Sequence, residues 1–174
     1  SDEKLGIIKR VFVDSNLAIV YGAAGTGKTT LIKHISSLFA DEQKLFLANT
    51  NPALENLRRR IKIQNSFFNT VAKQNYSYSN TYDIVFVDEC STISNSDMLR
   101  LLSRIECKLL VLVGDIYQIE AVKFGNWFSL ARKFLPEKAV HELQVPRRTE
   151  DADLLELWSK VRNVDPHISE FMVK

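Results

Sequence analysis

Residues 17–30 read LAIVYGAAGTGKTT, and this segment decides the fold of the chain. Its first five residues are apolar or aromatic without interruption, which is typical of a strand covered on both faces of a sheet. Three glycines then fall within six positions, and beyond them Leu31, Ile32 and Ile35 share one face of a helix. The segment therefore predicts a buried strand, a tight turn and a helix in direct succession.

The turn has the composition that phosphate groups require. Its glycines permit the dihedral angles that point successive N–H groups inward, and the helix adds the positive end of its dipole. In this pattern Lys28 reaches the β- and γ-phosphates and the Thr29 hydroxyl is a Mg²⁺ ligand, so ATP and Mg²⁺ are the predicted cofactors. The predicted nucleotide-binding residues are Gly22, Ala23, Ala24, Gly25, Thr26, Gly27, Lys28, Thr29 and Thr30. A chance glycine-rich turn is the alternative, which the strand before it and the helix after it disfavour.

Strands and helices alternate along the rest of the chain. Further apolar runs, which predict three more buried strands, lie at residues 44–48, 83–88 and 108–113. Further helices are predicted from Asn51, over 95–105 and over 152–162. The polar segment 74–82 is predicted to be a surface loop. The alternation is typical of an α/β fold with a mostly parallel central sheet flanked by helices.

The strand at 83–88 leads into two adjacent carboxylates, Asp88 and Glu89. Ligands of open α/β sheets bind at the carboxyl ends of the strands, where such a pair is costly without a cation. We therefore predict that Asp88 is a Mg²⁺ ligand and that Glu89 is catalytic, as the group that positions or deprotonates the attacking water. A solvated acidic pair is the alternative, which the phosphate-binding turn upstream disfavours.

The strand at 108–113 is followed by GDIYQI, residues 114–119. Gln118 can bond a γ-phosphate oxygen and lose that bond after hydrolysis, which predicts a sensor of nucleotide state. The alternative is an ordinary turn in which Gly114 and Asp115 are the turn-forming residues.

Together, GAAGTGKTT, DECS at residues 88–91 and GDIYQI resemble motifs I, II and III of superfamily 1 helicases, in order and in spacing. Within that superfamily the pattern is similar to RecD-, Pif1- and Upf1-like enzymes. The resemblance implies a P-loop NTPase with a RecA-like three-layer domain. It further implies an ATPase that couples Mg-ATP hydrolysis to movement on single-stranded DNA, with RNA as a possible substrate.

The resemblance also implies residues that contact nucleic acid. LANTNPALENLRRRI, residues 47–61, resembles motif Ia, and SFFNTVAK, residues 66–73, resembles the next strand-contacting motif. The implied contacts are Asn49, Thr50, Asn51 and Thr70, and Phe67 is a candidate for stacking on a base. LQVPRRT, residues 143–149, resembles motif IV, in which Arg148 reaches the γ-phosphate as a further catalytic residue.

Two features depart from that family. A glutamine that reads adenine is expected upstream of the phosphate-binding turn, and no glutamine precedes residue 43. Residues 1–174 are expected to form a single ATP-binding domain, domain 1A of the motor, while the second RecA-like domain with motifs V and VI is absent from this chain. We therefore expect full activity to require that second domain.

Composition sets the outer bounds. A chain of 174 residues with 45% hydrophobic and 25% charged residues matches one soluble domain, and a net charge of +2 does not by itself indicate a polyanionic partner. Two cysteines without a metal-binding spacing and no apolar run of about 20 residues predict a cytoplasmic protein with no membrane contact, and we expect it to be monomeric. A nucleotide-binding regulatory module and a small-molecule kinase stay as alternative functions.

Overall fold

The computed structural model describes residues 16–23, 25–115, 127–136 and 139–143, with only the main chain of His141 and Leu143. The strands are β1 (Leu17–Gly22), β2 (Lys44–Ala48), β3 (Ser66–Thr70), β4 (Thr81–Val87), β5 (Glu106–Gly114) and β6 (Val140–Leu143). The helices are α1 (Lys28–Leu38), α2 (Asn51–Arg60), α3 (Val71–Gln74), α4 (Asn95–Leu102) and α5 (Trp127–Phe134), and a 3₁₀ segment covers Cys90–Thr92. The predicted α/β alternation is confirmed.

The strands form one sheet in the order β3-β2-β4-β5-β1-β6, and every neighbouring pair is parallel. All the carboxyl ends therefore meet at one side of the sheet, which we call the carboxyl edge, and all the amino ends meet at the opposite side, the amino edge. Because β5 lies between β1 and β4, the ends of β1 and β4 are two strand spacings apart, about 10 Å. At the carboxyl edge, the end of β5 therefore lies between the ends of β1 and β4.

The sheet is covered on both faces, as its nearly continuous apolar strands require. On one face α1 and α2 pack over a cluster in which Phe46 stacks on both Phe68 and Phe86, with ring centroids 4.9 Å apart in each pair. On the other face a second cluster includes Val71 of α3 and Met98 of α4. The predicted three-layer arrangement is confirmed.

The predicted helices differ from the observed ones mainly at their ends. Helix α4 begins after Ser94, whose hydroxyl accepts a hydrogen bond from the main-chain N–H of Asp97 at 3.1 Å, and it ends at Leu102 rather than at 105. Helix α5 and the short α3 were not predicted. The helix predicted over 152–162 lies outside the described residues. Among the described helices, none is long and apolar enough to cross a membrane.

The segment predicted as a surface loop, 74–82, is partly interior, so that prediction was wrong at both ends. Gln74 is buried because its amide oxygen accepts from Asn69 at 2.9 Å and its nitrogen donates to the carbonyl of Ser79 at 2.7 Å. Tyr82 is buried in β4. Satisfied hydrogen bonds allow a polar side chain such as Gln74 to be buried, and polarity along the chain does not reveal them.

Candidate nucleotide-binding site

The turn after β1 has the backbone conformation that the sequence predicts. Gly25 and Gly27 have φ values of 81° and 88°, in the left-handed region that favours glycine. A Cβ built at either position meets no atom within 4 Å, so glycine is needed there for its dihedral angle and not for close packing. The Thr26 hydroxyl donates to the carbonyl of Ala23 at 2.9 Å and closes the turn. The result is a curved stretch of main chain with open space beside its glycines.

Lys28, the first residue of α1, folds its side chain back along this turn. Its ammonium donates to the carbonyls of Gly22 at 2.6 Å and Ala23 at 2.7 Å. Burial lowers the pKa of Lys28, and the charges of Asp115, Asp88 and Glu89 oppose that shift. The ammonium therefore lies in the field of three carboxylates that follow two other strands.

Asp88 is buried at the end of β4, with 7% of its surface exposed. Burial raises the pKa of Asp88 to about 6, and the neighbouring Glu89 charge adds to the shift. The N–H of Glu89, which donates to Asp88 Oδ1 at 2.9 Å, and the charges of Lys28 and Arg60 act in the opposite direction. A buried carboxylate with so little compensation is stabilised by a cation, so its environment fits the predicted Mg²⁺ ligand.

Glu89 has an unusual main chain, with φ 52° and ψ 38°. This left-handed conformation costs a residue with a side chain about 1–2 kcal/mol. It is held because the Glu89 carbonyl accepts from the N–H of Thr92 at 2.9 Å and from the Thr92 hydroxyl at 2.8 Å. The Glu89 side chain is exposed at the carboxyl edge. Strained main chain of this kind clusters at functional sites, and no pattern in the sequence predicts it here.

Asp115 follows β5 and is buried between the two ends already described. Its N–H donates to the Ser91 hydroxyl at 3.4 Å, which ties the end of β5 to the 3₁₀ segment. Gly114 beside it permits a close approach, because a Cβ there would lie 2.7 Å from the Phe128 ring of α5. The sequence predicts Asp115 just beyond the carboxyl end of a strand, with an ordinary turn as the alternative, and the structure buries Asp115 at the site.

The residues predicted to contact nucleic acid lie on the β2 and β3 side of the sheet. Thr50 is the N-cap of α2 and accepts from Ala53 N at 3.3 Å, and Thr70 is the N-cap of α3 and accepts from Lys73 N at 3.2 Å. Both threonines lie at the carboxyl edge, because Thr70 ends β3 and pairs with Ala48, the residue two before Thr50.

The other three predicted contacts differ in their surroundings. Asn51 is exposed at the start of α2. The Asn49 side-chain amide donates to the carbonyl of Thr92 at 2.8 Å. Phe67 is 47% exposed, and its ring lies 5.8 Å from that of Tyr82. Phe67 precedes the end of β3 by three residues, so it lies about 10 Å from the carboxyl edge.

Three of the predicted residues, Ala24, Gln118 and Arg148, lie outside the described residues. The predicted Thr29 and Thr30 are in the first turn of α1, where both are half-buried. Strand β6 ends at Leu143, which pairs with Gly22 of β1. Strand β6 therefore ends beside the start of the phosphate-binding turn.

A left-handed glycine turn between a central strand and a helix, with a lysine that faces buried carboxylates, defines the class of P-loop nucleotide-binding proteins. The chain belongs to the AAA domain family, whose match covers residues 2–171.

Two curated relatives are similar in sequence. The RecD subunit of the RecBCD enzyme of Mycolicibacterium smegmatis is 23% identical over 175 residues, which cover 80% of this chain and 32% of that protein. An uncharacterized protein of Methanocaldococcus jannaschii is 26% identical over 182 residues, which cover 87% of this chain and 16% of that protein. The chain thus spans less than a third of the length of either relative.

Two solved helicase structures share the fold. A structure of Pif1 helicases has a TM-score of 0.53 and 16% identity, with 94% of this chain and 48% of that chain covered. The nsp10 helicase of PRRSV has a TM-score of 0.50 and 19% identity, with 76% of this chain and 32% of that chain covered. The family match and the RecD similarity confirm the resemblance to RecD- and Pif1-like superfamily 1 helicases, and the two solved structures show that the fold is the same.

Proposed function

We propose that the chain is the ATP-binding motor domain of an ATP-dependent helicase or translocase that moves on single-stranded nucleic acid. The observation that carries the proposal is the position of Lys28, whose ammonium lies on the glycine turn and faces Asp88, Glu89 and Asp115. A triphosphate held on the turn would place its negative charge beside Lys28, and the carboxylates beyond would need a cation.

Each residue of the site has one role in this proposal. The main-chain N–H groups of the turn and the Lys28 ammonium bind the phosphates, and the Thr29 hydroxyl and Asp88 hold Mg²⁺. The Mg²⁺ ion, when bound, supplies positive charge to the phosphate oxygens. Glu89 orients the attacking water and accepts its proton. Gln118 and Arg148 act on the γ-phosphate as its sensor and as a second source of positive charge.

The nucleic-acid part of the proposal is supported by the same edge of the sheet. Thr70 is the last residue of β3 and pairs with Ala48, the last residue of β2, while Thr50 follows Ala48 by two residues. Asn51 opens the ten-residue helix α2, whose N-terminus favours a phosphate. The solved Pif1 structure concerns unwinding of forked double-stranded DNA, and the curated relative RecD belongs to RecBCD. These similarities favour DNA over RNA. Phe67 would stack on a base where the bound nucleic acid also crosses the face of the sheet at β3.

We further propose a second RecA-like domain in the full-length protein, together with a monomeric state and a cytoplasmic location. The greater length of RecD and of the Pif1 chain supports the second domain. The free thiols of Cys90 and Cys107 are compatible with a reducing compartment. The 174-residue chain alone should then hydrolyse ATP well below about 1 s⁻¹, the low end for phosphoryl-transfer enzymes. Faster turnover by the purified chain would contradict the need for a second domain.

The decisive experiment replaces Glu89→Gln in the full-length protein. This change keeps the shape of the side chain but removes its basicity, so Mg-ATP should bind as before while strand-stimulated hydrolysis falls by about 10²–10⁴-fold. Glu106→Gln is the matched control, because Glu106 is an exposed carboxylate at the amino edge. Stimulation by single-stranded DNA and by RNA of equal length should be compared in the same assay. Unchanged turnover in Glu89→Gln, or stimulation by neither strand, would refute the proposal.

A further inference from the structure

The 3₁₀ segment Cys90–Thr92 joins the ends of three strands. It directly follows Asp88 and Glu89 at the end of β4. The Asn49 side chain, at the end of β2, donates to its last carbonyl, that of Thr92, at 2.8 Å. The N–H of Asp115, at the end of β5, donates to the hydroxyl of Ser91 at 3.4 Å. The segment is therefore fixed from both neighbouring strands.

Thr92 in turn holds the main chain of Glu89. Its N–H and its hydroxyl both donate to the Glu89 carbonyl, at 2.9 Å and 2.8 Å, while the Glu89 N–H donates to Asp88 Oδ1 at 2.9 Å. Since φ at Glu89 is 52°, these bonds hold a conformation that a glutamate rarely adopts. The direction of the Glu89 side chain depends on that conformation. A shift of Thr92 would therefore redirect the carboxylate.

We infer that Asn49 is a positioning residue that fixes Glu89 through Thr92, and that its amide is not a direct ligand of the nucleic-acid strand. This inference rests on the proposed function of Glu89. The amide nitrogen of Asn49 donates to a carbonyl inside the protein, and the side chain is half-buried. The next residue, Thr50, caps α2 with its hydroxyl.

The position of Asn49 gives it a role in coupling. Thr50 and Asn51 are proposed to contact the nucleic acid, and Asn49 directly precedes Thr50 in the chain. A bound nucleic-acid strand that displaces Thr50 also displaces Asn49. The hydrogen bond from Asn49 to Thr92 then carries the displacement to Glu89. Nucleic acid bound on α2 thereby changes the placement of the water-activating carboxylate, through one side chain and one turn of main chain.

The test uses the full-length protein with Asn49→Ala, which removes the donor, and Asn49→Asp, which keeps the shape but has only acceptors. We expect kcat at saturating single-stranded DNA to fall by about ten- to a hundredfold, as a misplaced catalytic group does. The KM for Mg-ATP and the Kd for a fluorescent oligonucleotide should stay at their wild-type values. Hydrogen exchange of the peptide that contains residues 88–93 should become faster, which is a readout independent of activity.

Asn80→Ala is the matched control. The Asn80 amide also donates to a main-chain carbonyl, that of Ser77 at 3.2 Å, in the chain that leads into β4 at the amino edge. This variant should keep the wild-type kcat and the wild-type exchange of residues 88–93. It measures what the loss of such a bond does away from the site.

Two results would overturn the role of Asn49. One is a weaker Kd for the oligonucleotide in Asn49→Ala with an unchanged kcat at saturation, which would make Asn49 a direct strand contact. The other is unchanged exchange of residues 88–93. Failure of the proposed function can be told apart from failure of the role of Asn49. In that case, ATP hydrolysis by the wild-type protein would not be stimulated by any nucleic acid, or the Glu89→Gln variant would keep full turnover.

Discussion

Two lysines at opposite ends of α1 make similar contacts in different surroundings. Lys28 starts the helix and donates to two carbonyls of the glycine turn, and Lys44 lies beyond its end and donates to the carbonyls of Phe39, Ala40 and Glu42. Burial lowers the pKa of both, and nearby carboxylates oppose the shift in both. A lysine bonded to main-chain carbonyls is therefore not by itself a functional signal.

What separates the two lysines is the edge of the sheet on which each lies. Lys44 is fully buried at the amino edge, where its three bonds hold the main-chain carbonyls of the turn that follows α1. Lys28 is half-buried at the carboxyl edge, beside open space and opposite Asp88 and Asp115. The carboxyl edge is built for a ligand, and the amino edge is built for stability.

The largest effect should come from Lys28→Ala. Loss of a positive charge opposite the phosphates should weaken Mg-ATP binding by about a hundredfold or more, in line with the cost of truncating one partner of a charged pair. Stability should change little, because the two carbonyls it leaves are at an open site. Titration with a fluorescent ATP analogue and thermal unfolding check the two parts. A large loss of stability with unchanged affinity would reverse the comparison.

Lys44→Met should show the opposite pattern. The change keeps the apolar stem but removes three hydrogen bonds to main-chain carbonyls, which should lower the free energy of unfolding by about 2–3 kcal/mol. Affinity for Mg-ATP should remain at the wild-type value in the folded fraction. Urea unfolding at pH 7 measures the first quantity. An unfolding free energy equal to that of the wild type would show that the bonds of Lys44 contribute little.

The sequence predicted the central strands because their apolar runs carry the signal, and it missed β3 and β6, the two edge strands of the sheet. It also predicted the chemical groups of the site, since Lys28, Asp88 and Glu89 belong to recognisable local patterns. The burial of Asp115 and the bond from Asn49 to Thr92 could not be predicted. Both depend on which strand ends lie side by side, and the order of strands in the sheet differs from their order in the chain.

Asp88→Asn should give an effect of similar size and opposite sign, an increase in stability. The folded pKa of Asp88 is about 6 and the ordinary value is 3.8, so the folded state binds its proton more tightly than the unfolded state. The free-energy cost of keeping Asp88 ionised in the folded protein is therefore nearly absent at pH 4. It grows between pH 4 and 6 and reaches its full value above pH 6. At about 1.4 kcal/mol per unit, a gain of about 2–3 kcal/mol is expected at pH 7.

Unfolding of both proteins at pH 4.5 and pH 7.5 checks this prediction. The stability difference between Asp88→Asn and the wild type should be large at the higher pH and small at the lower one. Mg²⁺-dependent nucleotide binding should be lost in the variant at both. A difference that does not change with pH would mean that burial of the carboxylate is not its cause, and would weaken the assignment of Asp88 as a site that needs a cation.

The smallest effect should come from Lys108→Ala at the amino edge. Lys108 donates to Asp83 at 2.7 Å but is 66% exposed, so the pair should contribute little to stability and less still at high salt. The hydrogen bond from Lys108, with that from the Gln43 N–H, lowers the pKa of Asp83, so its contribution is present above about pH 4 and is lost on further acidification. Acidification thus first removes the cost of the ionised Asp88 at the carboxyl edge and then removes the stabilising charge of Asp83 at the amino edge.

Lys108→Ala should reduce stability at pH 7 and have no effect near pH 2.5. An undiminished effect at pH 2.5 would show that the apolar stem of Lys108, and not its charge, stabilises the amino edge.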